Sequence, residues 1–474
     1  MNITEPIRRH AVLRPDSVAF VRSDHTAVSY RALDGIIDAL AGHLRGLGAE
    51  AGMLAGVAIE AQDEFVGLAV TLALARIGVA TADLSLPAGM LDLCIVEGAG
   101  PRGVPALGLR DVWAAIPGDP AAVPAGAIHR DGGALCRVFS SSGTTGQPKY
   151  IPASHALISG RVLGQMLAQG ERDDVHICAA GLSGAMGLHD VLRSLFSGGT
   201  VVLTHLALAA EAIRRHGVNS MLTSPVILQA VCEALPEGPV PSMVEVEISG
   251  GKLPGPLAAL AGRRLCAEIV EVYGASEVHV IASAPVRLLA GRAGAVGFVH
   301  PGVLVEALDA DGAVLPAGQE GVLRVGGAYV GAGYHDDPAG TAAAFRDGWF
   351  LTGDVGTVWP DGCLTLAGRA SEVINAGGVK ISPLVIEEVL LAVPGVRDAA
   401  AFGLADALGL DQIWAAVVTE PSPDMAAIAA ACQARLGGQA PRFLLQVEFV
   451  PRNAAGKVHR DVLMRAARVQ QGRG

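Results

Sequence analysis

Between Ser140 and Lys149 the chain reads Ser-Ser-Ser-Gly-Thr-Thr-Gly-Gln-Pro-Lys, which gathers hydroxyls, glycines and one lysine into ten residues. Gly143 and Gly146 let backbone N–H groups turn toward an anion, Ser141, Ser142, Thr144 and Thr145 offer hydroxyl donors, and Lys149 adds a formal charge. Such a loop suits the holding of polyphosphate. Its spacing is G-x-x-G-x-x-K, whereas the Walker loop needs G-x-x-x-x-G-K followed by Ser or Thr, so the residues themselves exclude a P-loop nucleotide hydrolase. Another ATP-using fold is required.

Five further segments follow in order: Ser249-Gly-Gly-Lys-Leu-Pro254, Tyr273-Gly-Ala-Ser-Glu277, Asp347-Gly-Trp-Phe-Leu-Thr-Gly-Asp354, Gly368-Arg369 with Asn375-Ala-Gly-Gly-Val-Lys-Ile-Ser-Pro383, and Pro451-Arg-Asn-Ala-Ala-Gly-Lys-Val-His-Arg460. Taken singly, Lys457 reads as a solvated charge, Asp354 as a turn residue after Gly353, Arg369 as a surface ion-pair partner and Glu277 as a local cap. Six segments in sequence outweigh those readings, although Lys149 can still be read as only closing its loop. Over almost the whole chain the series resembles the signature motifs of the adenylate-forming superfamily, which holds acyl-CoA synthetases, peptide-synthetase adenylation domains and beetle luciferases.

Joining a carboxylate to the α-phosphate of ATP brings two anions together, so the barrier falls chiefly by charge neutralisation and positioning. The resemblance implies that Ser141 to Lys149 holds the β- and γ-phosphates, that Glu277 and Thr144 bind Mg²⁺, and that Tyr273 packs on adenine. Gly251, Gly274 and Ser276 line the nucleotide, Asp354 accepts from the ribose hydroxyls, and Arg369 lies by ribose and phosphates. Lys457 is implied to bridge the substrate carboxylate and the α-phosphate. Ser183, Gly184, Gly250 and Lys252 fall at the acyl pocket, Gly377 and Gly378 at a channel for the thiol arm, and Ser371 at the hinge between domains.

Several positions depart from the family pattern. Ser276 stands where Thr is usual and keeps the hydroxyl, while Ser371 replaces the common Asp or Lys of the hinge. The window Ser183-Gly184-Ala185 lacks the Asp of amino-acid-activating domains and the bulk of many relatives, which argues against amino-acid activation and allows a wider pocket. Lys252, where a small residue is usual, is either a solvated side chain or the partner of a second acidic group on the substrate. The expected activity is an ATP- and Mg²⁺-dependent carboxylate ligase that forms acyl-AMP and passes the acyl group to CoA. The alternatives are transfer to a carrier protein or amine, activation of a non-carboxylate nucleophile, and a catalytically silent nucleotide-binding homologue.

The elements that must position these residues read as α/β. Ser29 caps a predicted helix with apolar positions Leu33, Ile36, Ile37, Leu40, Leu44 and Leu47, closed by Gly48; a second, largely apolar helix runs from Glu64 to Ile77 and ends at Gly78. Leu135 to Phe139 reads as the strand entering the phosphate loop. Val175 to Ala179, Thr200 to Leu203 and Ser220 to Thr223 read as buried parallel strands, with helices at His189 to Phe196 and Leu206 to His216. From Val296 to Val358 the texture suits a β subdomain. Beyond it lie strands at Ala399 to Phe402, Ile413 to Val418 and Leu445 to Val450, and helices at Pro383 to Leu391 and Asp424 to Leu436. The expected architecture is thus a large N-terminal domain, 1–369, of parallel-sheet α/β subdomains plus a β subdomain, and a small mobile C-terminal α+β domain, 370–474.

With 474 residues and a net charge of −11, the chain lacks the basic footprint of a nucleic-acid binder. Its longest apolar run, Phe65 to Ala75, is too short for a membrane span, and no secretory signal is visible, so a cytoplasmic monomer or homodimer is expected. Seven scattered cysteines without a C-x-x-C pair read as free thiols rather than disulfides or a zinc site. His155, His189 and His459 read as surface or satisfied core groups.

Overall fold

The computed structural model describes the whole chain except residues 60–62, 115, 142–147, 170–173, 252, 267, 371, 373, 377–378, 406–410, 422–423, 453–457 and 472–474. The longest apolar run of the sequence lies in a helix, Glu64–Ile77, buried along almost its whole length, which explains why it carries no polar stripe. Asp63 opens it by accepting from the Phe65 N–H at 3.1 Å, and Gly78 closes it at φ 81°. Against it packs Tyr30–Gly46, whose N-cap Ser29 accepts from the Ala32 N–H at 3.2 Å. Arg76 is wholly buried in the last turn of the first helix and reaches Asp34 at 2.7 Å and Asp38 at 2.8 Å on the second, so the buried charge is matched.

These helices sit in a core shared by two sheets, since one apolar cluster contains Phe20 and Val201 from the larger sheet and Ala55, Ile95 and Phe139 from the smaller. The smaller sheet has six strands and ends in the antiparallel pair Leu135–Ser141 and Lys149–Ser154, with Ser141 opposite Lys149. The two ends of the loop expected to hold phosphate are therefore pinned by one hairpin.

The larger sheet has 14 strands. Val18–Val21, Thr200–Val202, Val175–Cys178, Ser220–Thr223, Glu245–Ile248 and Glu268–Ala275 run parallel, as their buried apolar character suggests. The helix read over Leu206 to His216 opens as a 3₁₀ turn and is α-helical over Ala209–His216. The Gly-punctuated β segment has its own core, around Val296, Leu323, Val325 and Leu364, yet it is hydrogen-bonded into the same sheet through the antiparallel series His279–Pro285, Ala295–Val299, Cys363–Arg369, Trp349–Val358, Glu320–Gly327 and Val303–Leu308. The parallel sheet simply continues as an antiparallel one.

After Arg369 come a two-stranded ribbon, the three-stranded sheet Val396–Ala405, Asp411–Thr419 and Phe443–Gln446, and the helices Pro383–Leu391, Met425–Leu436 and Arg460–Gln471. Two apolar clusters here draw only on residues from Ile374 onward. The strand expected over Leu445 to Val450 starts two residues earlier and stops at Gln446. This register lets Phe443 stack on Trp414 at 4.4 Å, while Val450 is buried in a neighbouring cluster instead of extending the strand. All seven cysteines are free; among the described residues no helix is long and apolar enough to cross a membrane, and no cluster of three metal-ligating side chains occurs.

Candidate active site

Lys149 begins the strand that leaves the phosphate loop, and its Nζ lies 2.6 Å from Asp337 Oδ2 and 5.2 Å from the centre of the Tyr334 ring. The Tyr334 hydroxyl donates to Glu277 Oε1 at 3.0 Å, so lysine, carboxylate, phenol and a second carboxylate form one line. Asp337 also caps the helix Pro338–Ala344 by accepting from the Gly340 N–H, and the hydrogen bond from Lys149 holds its carboxyl below the usual range. Glu277 is buried, and the loss of water pushes its carboxyl up despite the Tyr334 hydrogen bond.

The Glu277 loop is held from behind by Arg161, which is buried in the helix His155–Gln169. Its guanidinium donates to the carbonyls of Glu277 at 2.6 Å, Ser276 at 3.3 Å and Tyr329 at 3.0 Å, tying one side chain to two separate segments of the larger sheet. Burial draws Arg161 down to about 9, so it remains charged at neutral pH.

A second corner forms where Trp349–Val358 and Cys363–Arg369 pair with Asp354 opposite Arg369. Asp354 Oδ1 is 2.8 Å from Arg369 Nε, and its Oδ2 accepts from the Tyr273 hydroxyl at 2.5 Å. Arg369 also donates to the Thr352 carbonyl, and Thr352 Oγ1 accepts from the Asp354 N–H. The carboxylate is thus aimed from two sides, while burial pushes the Tyr273 phenol up. Gly274 has no substitute here, because a Cβ would collide with the His279 carbonyl of the adjacent strand.

The window expected at the acyl pocket is more open. Gly250 turns the chain at φ 85° after Glu245–Ile248, and a Cβ on Gly251 would meet nothing nearer than Pro225 at 3.7 Å. Gly184 precedes the helix Ala185–Ser197, where a Cβ would touch only the Gly181 carbonyl at 3.4 Å, and the Ser183 carbonyl accepts from Arg137 at 3.0 Å. Met186 packs with Val270, Val272 and Val280 as a small apolar group. Farther along this helix the buried His189 ring stacks on His279 at 4.3 Å and hydrogen-bonds the Ala185 carbonyl; burial draws it down to about 3, so it is neutral. The same helix is anchored to the sheet by a buried ion network, with Asp190 on His176 at 2.5 Å and Arg193 on Glu247 at 2.8 Å.

Taken together, a lysine beside the phosphate hairpin, a buried carboxylate suited to a hard cation and a carboxylate–phenol–guanidinium corner fit a nucleotide polyphosphate with its metal. The AMP-binding enzyme family matches residues 117–335, and its C-terminal domain matches residues 385–457. The chain belongs to the AMP-binding enzymes. It is 27% identical over 478 residues to the 2-succinylbenzoate–CoA ligase of Bacillus licheniformis, covering 96% of this chain and 98% of that one. To the sulfoacetate–CoA ligase of Cupriavidus necator it is 32% identical, over 69% of this chain and 66% of the relative. Its fold superposes on the O-succinylbenzoate coenzyme A synthetase of Bacillus subtilis in complex with AMP, with a TM-score of 0.84 at 22% identity and 97% of each chain covered. The same synthetase with ATP and magnesium gives 0.82 at 21% identity, covering 96% of this chain and 98% of that one. As an AMP-binding enzyme, the chain is an adenylate-forming ligase.

Of the residues singled out from the sequence of this AMP-binding enzyme, the structure brings Tyr273, Asp354 and Arg369 into direct contact and links Lys149 to Glu277 through Tyr334. Ser141, Ser276, Ser183, Gly184, Gly250, Gly251 and Gly274 are placed as above. Ser142, Gly143, Thr144, Thr145, Gly146, Lys252, Ser371, Gly377, Gly378 and Lys457 lie outside the described residues. Arg460, three positions after Lys457, pairs with Glu372 at 2.7 Å and Glu387 at 2.6 Å, so the last motif is tied beside the expected hinge. Arg161, Tyr334, Asp337 and Thr352 were not legible as site residues. A signal existed for two of them: Arg161 shares the inner helical stripe with Ile158, Val162 and Gln165, and Asp337-Pro338 has the form of a helix start.

Proposed function

We propose that this AMP-binding enzyme activates a carboxylic acid with ATP and transfers the acyl group to the thiol of CoA. In the first step a carboxylate oxygen attacks the α-phosphorus and the bond to the pyrophosphate oxygen breaks. In the second, the thiol loses its proton to solvent, its sulfur attacks the acyl carbon, and the bond from that carbon to the phosphate oxygen breaks so that AMP leaves with the electron pair. Asp354 orients the ribose and Arg369 lies by ribose and phosphates, while Tyr273 lies on the adenine and Lys149 holds the outer phosphates. Glu277, with Thr144, would hold Mg²⁺, which supplies charge neutralisation at the phosphates when bound. Lys457 steadies the charge developing between carboxylate and α-phosphate, and Gly377 and Gly378 leave room for the thiol arm. The division 1–369 and 370–474 sets the two moving parts, with Ser371 at the hinge gating each half-reaction.

The observation that carries this reading is the contact of Asp354 with both Tyr273 and Arg369, which suits a grip on a ribose, and it is supported by the line from Lys149 through Tyr334 to Glu277. Support for CoA as acceptor comes from the relatives that are CoA ligases. The test is a panel of carboxylic acids assayed for AMP and pyrophosphate with and without CoA. Release of ADP and phosphate overturns the mechanism, and an acid turned over equally without CoA but with an amine or carrier protein changes the acceptor.

A second acidic group on the substrate is favoured by a count. Of the 35 basic residues only four are lysine, at 149, 252, 380 and 457, and the other 31 are arginine. All four lysines fall within the motif segments, which make up about a tenth of the chain. A chain that uses arginine for its ordinary surface charges has kept a compact ammonium at 252, directly after the paired glycines of the acyl window. The named substrates of two relatives, 2-succinylbenzoate and sulfoacetate, each carry a second acidic group.

A further inference from the structure

Asp337 has no part in the nucleotide clasp, yet the fold takes care to place it. The turn that carries it docks on the phosphate hairpin through the His335 N–H, which donates to the Tyr150 carbonyl at 2.6 Å. Thr341 fastens the same turn, its Oγ1 donating to the Asp337 carbonyl at 2.8 Å and accepting from the Tyr334 N–H at 2.9 Å. Gly340 makes the seat: a Cβ there would lie 2.7 Å from Lys149 Nζ and would collide with the Asp337 carboxylate. One carboxylate oxygen caps the helix through the Gly340 N–H, and the other receives Lys149.

We propose that Asp337 is an internal competitor for pyrophosphate: it holds Lys149 between turnovers, and it takes the lysine back when pyrophosphate leaves. Asp337 is a positioning residue that acts through Lys149, and the inference rests on the phosphate-holding role given to Lys149 above.

The chemistry of the two partners suits an exchange. Lysine offers a point charge with three rotatable donors, so it can leave one oxygen for another without breaking a planar fork. Asp354, by contrast, is paired with an arginine, Arg369. An arginine at 149 could grip the Asp337 carboxylate with two parallel hydrogen bonds and would be slow to give it up. The pair is also partly solvated, with about a third of each side chain exposed, so the contact is weak enough to be displaced by a polyphosphate. The tie from Tyr334 to Glu277 places this exchange next to the group assigned to the metal, so arrival and departure of the metal–phosphate unit are felt at both ends of the line.

The test compares the full-length wild type with Lys149→Arg, Asp337→Asn, the double variant and Lys149→Met. The readouts are direct binding of Mg·ATP and Mg·pyrophosphate by calorimetry and product inhibition by pyrophosphate. Asparagine is a good N-cap, so Asp337→Asn keeps the helix start, and an unchanged unfolding midpoint checks this. The expected result is that Asp337→Asn tightens pyrophosphate binding about two- to fivefold, the range of a partly exposed ion pair, with a gain that shrinks as salt is raised. Lys149→Arg weakens it, and adding Asp337→Asn to Lys149→Arg restores it. In the Lys149→Met background Asp337→Asn has no effect.

Unchanged or weaker pyrophosphate binding in Asp337→Asn overturns the proposal, as does a Lys149→Arg defect that the second substitution leaves in place. A different outcome, normal ATP and pyrophosphate binding in Lys149→Met, removes the phosphate role of Lys149 itself.

Discussion

Replacing Arg161 with Met keeps the apolar stem and roughly the volume while deleting every donor. The Glu277 carbonyl keeps the Gly331 N–H at 2.8 Å, so the carbonyls that lose a donor outright are those of Ser276 and Tyr329. A fully buried acceptor left unmet costs about 1–3 kcal/mol, but both of these bonds are only partly buried and water can reach them, so the two together cost about 1–3 kcal/mol. Part of it is returned, because the guanidinium itself is disfavoured by burial, as its lowered pKa shows. We expect a net loss of about 1–2 kcal/mol in the cooperative unit that contains the larger sheet, measured by urea unfolding with intrinsic fluorescence. We also expect a raised Mg²⁺ requirement for pyrophosphate exchange, since the Glu277 loop loses its rear support. Arg161→Lys should recover part of both effects. A Met variant with the wild-type midpoint and the wild-type Mg²⁺ requirement would refute the role given to Arg161.

Four further expectations concern single groups. Tyr334→Phe removes the hydrogen bond that favours ionised Glu277, so the Glu277 carboxyl, already raised by burial, rises further; protonated Glu277 cannot hold a cation, and the acid limb of the pH–rate profile should move to higher pH by about half a unit to one. An unmoved limb counts against Glu277 as the titrating group. Lys457→Ala should abolish most acyl-AMP formation while leaving ATP binding largely intact; near-normal pyrophosphate exchange would remove its assigned role. Lys252→Ala should impair acids with a second acidic group far more than simple monoacids, and equal losses return Lys252 to a solvated side chain.

The fourth expectation is a stability effect at His155, which is buried and drawn down to about 4 from 6.5 by loss of water. The unfolded chain takes up its proton first, so the stability contribution is full above pH 6.5 and is lost as pH falls toward 4, about 2 kcal/mol by pH 5. His155→Gln, followed by thermal unfolding from pH 7 to 5, should flatten that slope.

What could be read in advance depended on whether the signal was local. Ser29 and Gly78 mark helix ends because a cap and a left-handed turn need particular residues at particular places. Helical and strand periods then found the buried elements between them. The C-terminal strand was displaced because its register is set by Phe443 stacking on Trp414, a contact between strands that no period encodes. The β segment was legible as a separate texture but not as a continuation of the parallel sheet, since hydrogen-bond partners are chosen in space. The site shows the same division. Motif order pointed to Tyr273, Asp354, Arg369, Glu277 and Lys149, but the side chains that hold them in place work through backbone carbonyls and tertiary contacts: Arg161 and Asp337 left a local mark of burial and of a helix start, not of what they touch, and Tyr334 and Thr352 left none.

The partners in this site are far apart along the chain: Tyr273 and Asp354 by 81 residues, Arg161 and Glu277 by 116, Lys149 and Asp337 by 188. At about 5–20 residues per second of synthesis, Lys149 waits roughly 10–40 s on the ribosome before Asp337 is made. During that interval neither Asp354 nor Arg369 has been made, so Tyr273 lacks the carboxylate that its hydroxyl meets in the finished fold. The corner that joins Tyr273, Asp354 and Arg369 is therefore completed only late in biosynthesis.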